Sequence, residues 1–194
     1  MATYLVTGAN RGIGYEYCRQ LQSRGDSAIA QARTQGFAVC RQASNELKAL
    51  GIRIEEGIDI TSDDSVANLH KKLGETQIDV LINNAAIAKS ITLEHLDFDS
   101  IREQFEVNAL GTLRVTQVLL PRLKAGGKVV MMTSRMGSIG DNTSGSSYGY
   151  RMSKVALSMA GKSLSHDLKP RSGVDIAKLS PGARSPKKTA VKAL

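Results

Sequence analysis

Three glycines, Gly8, Gly12 and Gly14, separate the first apolar segment of the chain from its first helical pattern. The apolar segment, Thr3–Thr7, reads as a buried strand, and residues 11–24 follow with apolar residues at helical spacing. Glycine lets the backbone turn tightly, and the start of a helix offers free N–H groups to an anion. A strand, a glycine loop and a helix in this order predict a phosphate-binding turn at the start of an α/β fold.

Strand and helix patterns keep alternating along the chain, which is typical of a doubly wound parallel sheet with helices on both faces. The pattern predicts further strands over residues 37–41, 52–58, 79–83, 128–133 and 174–179. It predicts further helices over residues 43–50, 62–73, 100–120 and 150–168. The last two helices are expected to stop before Pro121 and Pro170, because proline disfavours helix in the residue that precedes it.

Residues 27–36 leave two interpretations of the second strand open. The segment is longer than the short turn that a connection between a helix and a strand needs. We favour residues 37–41 as the second strand, with 27–36 as the connection. The alternative is that residues 27–33 are themselves the strand.

Length and composition fit a single domain. A chain of 194 residues can bury one sizeable core, and aromatic residues make up only 4% of it, so the core must be aliphatic. Val, Ile, Leu and Ala suit a parallel sheet that is covered on both faces. We therefore predict one α/β domain over residues 1–182, followed by a basic, irregular tail over residues 183–194.

The formal charge of +8 is concentrated at one end of the chain. Residues 169–194 hold seven lysines and arginines against Asp175 alone, which leaves +2 for the rest. A basic end of this kind is more often a solvated extension than a nucleic-acid site, and no aromatic-rich strand motif is present to stack bases. We expect no nucleic-acid partner.

Cysteine and histidine usage gives no sign of a metal site or a disulfide. Cys18 and Cys40 form no CxxC pair, and His70, His95 and His166 are scattered. No apolar run is long enough to span a membrane, and the first residues do not resemble a signal peptide. We expect a cytoplasmic protein without a metal or a membrane partner.

Five short motifs occur in a fixed order, each at the end of a predicted strand or within a predicted helix. They are Thr7-Gly8-x-x-x-Gly12-Ile13-Gly14, Asn83-Asn84-Ala85, Asn108, Ser134 and Tyr150-x-x-x-Lys154. With these motifs the chain resembles the short-chain dehydrogenase/reductase family from about residue 3 to residue 182. It is particularly similar to the single-domain carbonyl-reductase-like branch of the C-factor or Sniffer type. The resemblance implies a Rossmann-type fold and an NAD(P)-dependent oxidoreductase acting on a small carbonyl or alcohol substrate.

Tyr150 and Lys154 are four residues apart, so both project from one face of their helix. A phenol titrates at about 10, and a neighbouring ammonium favours the phenolate. The resemblance implies that Tyr150 is the general acid/base, that Lys154 assists it and holds the nicotinamide ribose, and that Ser134 hydrogen-bonds the carbonyl oxygen. It implies that Asn108 holds a water in a proton relay. The competing interpretation of Tyr150 and Lys154 is an ordinary amphipathic helix face, whereas Tyr148 has no lysine at the required spacing.

The glycine loop and two arginines define the expected dinucleotide site. By resemblance, the loop residues that contact the cofactor are Gly8, Asn10, Arg11, Gly12, Ile13 and Gly14. Arg11 and Arg41 match positions that select NADP(H) over NAD(H), because a guanidinium suits the 2′-phosphate. The competing interpretation of Arg41 is a solvated residue at the end of a strand.

Further cofactor contacts are implied at the ends of later strands. Asp59 matches a contact to the adenine amine, although capping the following turn is an equal alternative. Asn83 and Ala85 match the loop that lines the cofactor, where the family has glycine in place of Ala86. Pro181 and Gly182 match the turn after the sixth strand.

The resemblance weakens in two places. The segment between Ser134 and Tyr150 is longer than in many family members, with the extra residues at 140–147. After Gly182 the chain lacks the expected threonine, and we expect a C-terminally shortened domain without the last strand and the substrate lid. The alternative function is therefore a weak or inactive relative that binds NADP(H) as a sensor or interaction protein. The resemblance is compatible with a monomer or a homodimer.

Overall fold

The computed structural model describes residues 2–28, 35–39 and 43–180. Its strands are β1 (Thr3–Thr7), β2 (Gln35–Val39), β3 (Arg53–Glu55), β4 (Ile78–Asn83), β5 (Leu123–Met132) and β6 (Asp175–Leu179). Its helices are α1 (Gly12–Ala28), α2 (Asn45–Lys48), α3 (Asp63–Leu73), α4 (Phe98–Phe105), α5 (Gly111–Leu119) and α6 (Tyr148–Ser172).

These strands form one parallel sheet in the order β3-β2-β1-β4-β5-β6. The strand order reverses between β1 and β4, which confirms the doubly wound Rossmann-type architecture. In such a sheet the reversal opens a crevice beyond the carboxyl ends of the strands, and ligands bind there. The loops that follow β1, β4 and β5 all reach this edge.

Neighbouring strand residues alternate between two cores, one on each face of the sheet. Leu5 and Leu81 lie in the core on the side of α3, α5 and α6, whereas Val6 and Ile82 lie in the core on the side of α1 and α2. All four side chains are fully buried. Burial on both faces explains why these strands read as continuous apolar runs in the sequence.

The second strand confirms the interpretation that we favoured over residues 37–39, although it begins two residues earlier than expected, at Gln35. β2 occupies Gln35–Val39, and α1 extends through residues 27 and 28, so the alternative of a strand over 27–33 is wrong at those two positions. Cys40 and Arg41 lie outside the described residues, as do Pro181, Gly182 and the tail over 183–194. β3 is shorter than expected, because Gly57 turns the chain with a φ of +75° soon after Glu55.

The predicted helix over residues 100–120 is wrong as one continuous α-helix. It consists of α4, a π-helical turn at Glu106–Leu110 and α5. The hydroxyl groups of Thr112 and Thr116 bond back to the carbonyls of Asn108 and Thr112, at 3.3 and 2.8 Å. Such back-bonding competes with the regular helical pattern and accompanies bends. The interruption places Asn108 in the π-helical turn.

Two other boundaries differ from the sequence-based prediction. β5 begins at Leu123, whereas the sequence predicts a strand only from residue 128. Gly126 and Gly127, which are typical of a turn, lie inside this strand, where its register with β4 is irregular. The last helix passes through Pro170 and ends at Ser172, where Gly173 takes a φ of +68°. Pro170 is exposed, so water can satisfy the carbonyl that its missing N–H leaves unpaired. None of the helices in the described ranges is long and apolar enough to cross a membrane.

Candidate active site

The glycine loop packs tightly against the segment that follows β4. Gly8 and Gly12 have φ angles of +63° and +59°, a region that glycine adopts at no steric cost. A Cβ at Gly8 would lie 2.6 Å from Cα of Ala85, and one at Gly14 would lie 2.5 Å from Nδ2 of Asn84. A Cβ at Gly12 would meet nothing within 4 Å. The loop therefore packs closely against the segment after β4 at Gly8 and Gly14, whereas the space beside Gly12, at the start of α1, is open.

Thr7 and Asn84 hold this loop in place. Nδ2 of Asn84 donates to the carbonyls of Thr7 and Gly8, both at 3.1 Å. The hydroxyl of Thr7 accepts from the backbone N–H groups of Asn84 and Ala85, both at 3.0 Å. Sequence reasoning quoted Asn84 within its motif but gave a role only to its two neighbours. The doubled asparagine after a buried strand was the signal that could have found it.

The polar residues of the glycine loop have different surroundings. Asn10 bonds Ser44 twice: its side-chain oxygen accepts from the backbone N–H of Ser44, and its carbonyl accepts from the Ser44 hydroxyl at 3.1 Å. Ser44 caps α2, so the side chain of Asn10 supports that helix. The guanidinium of Arg11 is exposed and contacts no polar group among the described residues. Ile13 packs against the core beside α1.

Asp59 and Asn83 both make contacts within the fold. The carboxylate of Asp59 accepts from the N–H and the hydroxyl of Thr61 at 2.9 and 2.8 Å, which is the turn-capping role. Nδ2 of Asn83 donates to the Thr116 hydroxyl in α5 at 3.0 Å. Its Oδ1 is buried and accepts no hydrogen bond from the described residues. The side chain of Asn83 thus faces α5.

Lys154 is a buried cation beside Tyr150. It is 2% exposed, and its Nζ donates to the carbonyl of Met132, the last residue of β5, at 2.7 Å. Burial lowers the pKa of Lys154 to about 8. The ammonium lies 5.7 Å from the ring centroid of Tyr150, which is half-buried. An ammonium has three donors, so Lys154 keeps donors for oxygen atoms of a ligand in the crevice.

Ser134 lies at the end of β5, next to α6. Its hydroxyl accepts from the backbone N–H of Met136 at 3.2 Å and caps the short 3-10 turn Arg135–Gly137. A Cβ at Gly137 would lie 2.8 Å from Cβ of Lys154, so this turn lies directly against α6. The side chain of Ser134 is partly exposed at the same edge of the sheet.

Asn108 connects the π-helical turn with α6. Its Oδ1 accepts from the N–H of Ile87 at 2.8 Å, and its Nδ2 donates to the Ile87 carbonyl at 2.9 Å and to the Ser153 hydroxyl at 3.0 Å. The Ser153 hydroxyl donates to the Tyr150 carbonyl at 2.9 Å. The side chain of Asn108 is fully buried. Ser153 was missed by sequence reasoning, because a serine inside a helix gives no distinctive signal.

The fold therefore brings together the four residues that were expected to be catalytic. Lys154 reaches the last residue of β5 and lies beside Tyr150, and Ser134 follows the same strand. Asn108 is connected to this group through Ser153 of α6. Their arrangement provides a phenol, a buried ammonium and a hydroxyl at the carboxyl edge of the sheet. A set of this kind can move a proton and polarise an oxygen atom. Among the described residues there is no group of three or more His, Cys, Asp or Glu side chains that could hold a metal ion.

Comparison with known proteins agrees with this geometry. The short chain dehydrogenase family model matches residues 2–192. The 1-hydroxy-2-glutathionyl-2-methyl-3-butene dehydrogenase of Rhodococcus sp. (strain AD45) is 41% identical over 184 residues, covering 94% of this chain and 77% of that protein. The C-signal protein of Myxococcus xanthus is 47% identical over 108 residues, covering 54% of this chain and 64% of that protein.

A solved structure agrees with the fold over nearly the whole chain. The crystal structure of a carbonyl reductase from Pseudomonas aeruginosa PAO1 in complex with NADP superposes with a TM-score of 0.83 at 29% identity. The superposition covers 98% of this chain and 87% of that one. The sheet order, the site geometry and the family match lead to one conclusion: the chain belongs to the short chain dehydrogenase family, whose members are oxidoreductases that use nicotinamide cofactors.

Proposed function

We propose that the chain is an NADP(H)-dependent carbonyl reductase, or alcohol dehydrogenase in the reverse direction, with Tyr150 as its general acid/base. The observation that carries the proposal is the buried ammonium of Lys154, 5.7 Å from the Tyr150 ring and beside the end of β5. A buried charge is costly unless it is paired or hydrogen-bonded, and titratable groups perturbed by burial occur frequently at functional sites. Lys154 has one carbonyl acceptor at 2.7 Å.

The glycine loop supports the proposal that the crevice binds a dinucleotide. Gly12 leaves open space in front of the first turn of α1, and Gly8 and Gly14 admit no side chain where the loop meets its neighbours. Backbone N–H groups at a helix start bind a pyrophosphate well. We propose that these glycines hold the pyrophosphate and that Lys154 donates to the ribose hydroxyls. Ala85, Pro181 and Gly182 stay proposed contacts around the nicotinamide half, as Asp59 does at the adenine.

Carbonyl reduction requires a hydride at carbon and a proton at oxygen. Bound nicotinamide supplies the hydride. Tyr150 would give its phenolic proton to the carbonyl oxygen, and the Ser134 hydroxyl would donate a hydrogen bond to the same oxygen. Lys154 would stabilise the negative charge that the Tyr150 oxygen gains. The product is then the alcohol, and the reverse sequence oxidises it.

The proton that Tyr150 loses must be replaced from solvent. We propose that Asn108 holds a water molecule behind Lys154 for this purpose. The side-chain amide of Asn108 is already bonded to Ile87 and Ser153, and its backbone carbonyl accepts one hydrogen bond from the Thr112 hydroxyl at 3.3 Å. The second lone pair of that carbonyl would accept a hydrogen bond from the water. The π-helical turn supports the proposal, because such turns frequently occur at functional sites.

Arg11 supports a preference for NADP(H) over NAD(H). Its guanidinium is exposed beside the glycine loop and contacts no polar group among the described residues. A 2′-phosphate would give it a doubly charged acceptor, whereas the ribose hydroxyl of NAD(H) would not. We propose that Arg41 acts with it. The match to a carbonyl reductase crystallised with NADP supports the same preference.

The decisive experiment combines thermal stability with turnover. A ligand that binds only the native state at a hundred times its dissociation constant stabilises it by about 2.7 kcal/mol. We expect NADPH to raise the melting temperature more than NADH, and a panel of small aldehydes and ketones to contain a compound that oxidises NADPH. Stabilisation without turnover on any compound would favour the second function, a protein that binds NADP(H) as a sensor. No shift with either nucleotide would refute both.

A further inference from the structure

Residues 138–147, which we call the active-site loop, join the turn after Ser134 to the start of α6. Near its end the loop contains Ser146 and Ser147, with φ angles of +54° and +51°. Two consecutive residues other than glycine rarely adopt the left-handed region, because Cβ then crowds the backbone. Such a conformation persists only where surrounding contacts hold it. Contacts to this loop must therefore determine its shape.

One guanidinium supplies the side-chain contacts to the three residues that precede Ser147. Nε of Arg151 donates to the carbonyls of Gly145 and Ser146 at 3.1 and 3.2 Å, and Nη2 donates to the Ser144 hydroxyl at 2.9 Å. Nη1 donates to the carbonyl of Met136 at 3.4 Å. The planar group with its five N–H donors is suited to several acceptors at once, in a way that the single ammonium of lysine is not.

These contacts connect the two sides of the candidate site. Met136 lies two residues beyond Ser134, in the turn that Ser134 caps. Arg151 follows Tyr150 directly in α6. The side chain of Arg151 therefore spans from the turn that carries the hydroxyl to the helix that carries the phenol. At the end of the loop, the N–H of Ser147 donates to the carbonyl of Ile91 at 2.8 Å, which joins it to the segment after β4.

We infer that Arg151 is a positioning residue, which fixes the active-site loop and so the distance between Ser134 and Tyr150. The inference rests on the proposed function, since it assumes that both groups act on one carbonyl oxygen. A hydroxyl and a phenol must converge on that oxygen, and a displacement of about 1 Å can reduce a rate a hundredfold. Arg151 itself touches neither substrate nor cofactor in this role.

The test compares Arg151→Gln and Arg151→Lys with Arg135→Gln as the matched control. Arg135 lies in the turn that Ser134 caps, and its ion pair with Asp141 is also a contact to the active-site loop. Because the Arg135 side chain is 87% exposed, this pair contributes little, and its removal takes away a cation while the four-acceptor contact of Arg151 stays. Each full-length variant is examined for hydrogen–deuterium exchange over residues 135–149, NADPH affinity, kcat and KM.

In Arg151→Gln we expect faster exchange of the active-site loop and a ten- to hundredfold loss of kcat. NADPH affinity should stay within about twofold, because the glycine loop is untouched. The lysine variant should recover only part of kcat, and Arg135→Gln should match the wild type. A larger change in KM than in kcat would contradict positioning of the reacting groups.

Two results would overturn the inference whatever the turnover. One is unchanged exchange of the loop in Arg151→Gln, and the other is an equal loss of loop protection, NADPH affinity and melting temperature, which indicates general destabilisation. Faster exchange with unchanged kcat would also overturn it. A wild type that reduces no carbonyl would refute the proposed function and the catalytic part of the inference, while the exchange data would still decide whether Arg151 fixes the loop.

Discussion

The ammonium of Lys154 lies 5.7 Å from the centroid of the Tyr150 ring, one turn along the same helix. Lys154 is 2% exposed and reaches the Met132 carbonyl, so the charge is largely removed from water. Electrostatic attraction between this charge and an oxygen that becomes negative is stronger in such surroundings than in water. The same burial that makes Lys154 costly for the fold would make it effective in the proton transfer that we propose for Tyr150.

Replacement of Tyr150 by phenylalanine should abolish turnover and leave cofactor binding nearly intact. The variant keeps the ring and loses only the hydroxyl that would give up the proton. General acid catalysis contributes about a hundred- to ten-thousandfold, so kcat should fall by at least that factor. NADPH affinity, followed by the change in melting temperature, should stay within about twofold of the wild type.

Tyr148→Phe is the matched control for this prediction. Tyr148 lies two residues earlier in the same helix and is also partly buried, but no lysine follows it at the spacing of a helical turn. Its kcat should equal that of the wild type. Equal turnover in the wild type and Tyr150→Phe would refute Tyr150 as the general acid/base.

Replacement of Lys154 by methionine should stabilise the fold near neutral pH while it removes activity. Burial depresses the pKa of Lys154 to about 8 from its ordinary value of 10.5, so the unfolded chain binds a proton more tightly than the folded one. The resulting cost is present in full below pH 8 and disappears as the pH rises from about 8 to 10.5. At pH 7 a gain of about 1–3 kcal/mol in the free energy of unfolding is expected.

Denaturant unfolding at several pH values measures this effect. The difference between Lys154→Met and the wild type should shrink as the pH is raised from 7 towards about 10, because the wild-type lysine becomes neutral in both states. Lys162→Met in the same helix is the control, since Lys162 is exposed and its variant should show no such pH dependence. A Lys154 variant less stable than the wild type at pH 7 would contradict the prediction.

The parts of the fold that depend on local patterns were predictable from the sequence. The bounds of β1 agree with the prediction, and α3 agrees with the helix predicted over residues 62–73, with Ser62 as its N-cap, because a buried strand and an N-cap have strong local signals. It was also expected that the segment after β5, which carries Ser134, would lie against the helix that carries Tyr150 and Lys154. Motifs at the carboxyl ends of parallel strands meet at one edge once the strand order is known.

Features that depend on tertiary contacts were not predictable. The π-helical turn arises where Asn108 bonds the backbone of Ile87, twenty-one residues earlier in the chain, and no local periodicity reports such a contact. No local sequence pattern indicates that Asn10 bonds Ser44 or that Asn83 faces α5. An asparagine in a motif can bind a ligand or stabilise the fold, and only its hydrogen-bond partners in the structure distinguish these two roles.

Replacement of Gly14 by alanine should destabilise the fold and weaken dinucleotide binding. Its Cβ would lie 2.5 Å from Nδ2 of Asn84 and closer still to the carbonyl oxygen of Gly8, so the loop or α1 must shift. Overpacking of this kind costs about 1–3 kcal/mol. Denaturant unfolding should show that loss, and NADPH should no longer raise the melting temperature to the wild-type extent.

Gly140→Ala provides the comparison. Gly140 has an ordinary φ, and a Cβ there would meet nothing within 4 Å. The free energy of unfolding of this variant should stay within about 0.5 kcal/mol of the wild type. If Gly14→Ala behaved in the same way, the close packing of the glycine loop against Asn84 would not be needed for stability.

Replacement of Arg11 by glutamine should weaken NADPH binding selectively. A charge-assisted hydrogen bond contributes about 1.5–3 kcal/mol, and the exposure of Arg11 favours the lower end of that range. We expect the dissociation constant of NADPH to rise roughly tenfold and that of NADH to stay unchanged, as titration calorimetry would show. The loss should diminish at high ionic strength, because salt screens an exposed contact. Arg24→Gln, which removes an exposed arginine further along α1, should alter neither constant. An equal loss for NADPH and NADH would assign Arg11 to a part that both dinucleotides share, such as the pyrophosphate, and would leave the NADP preference without this support.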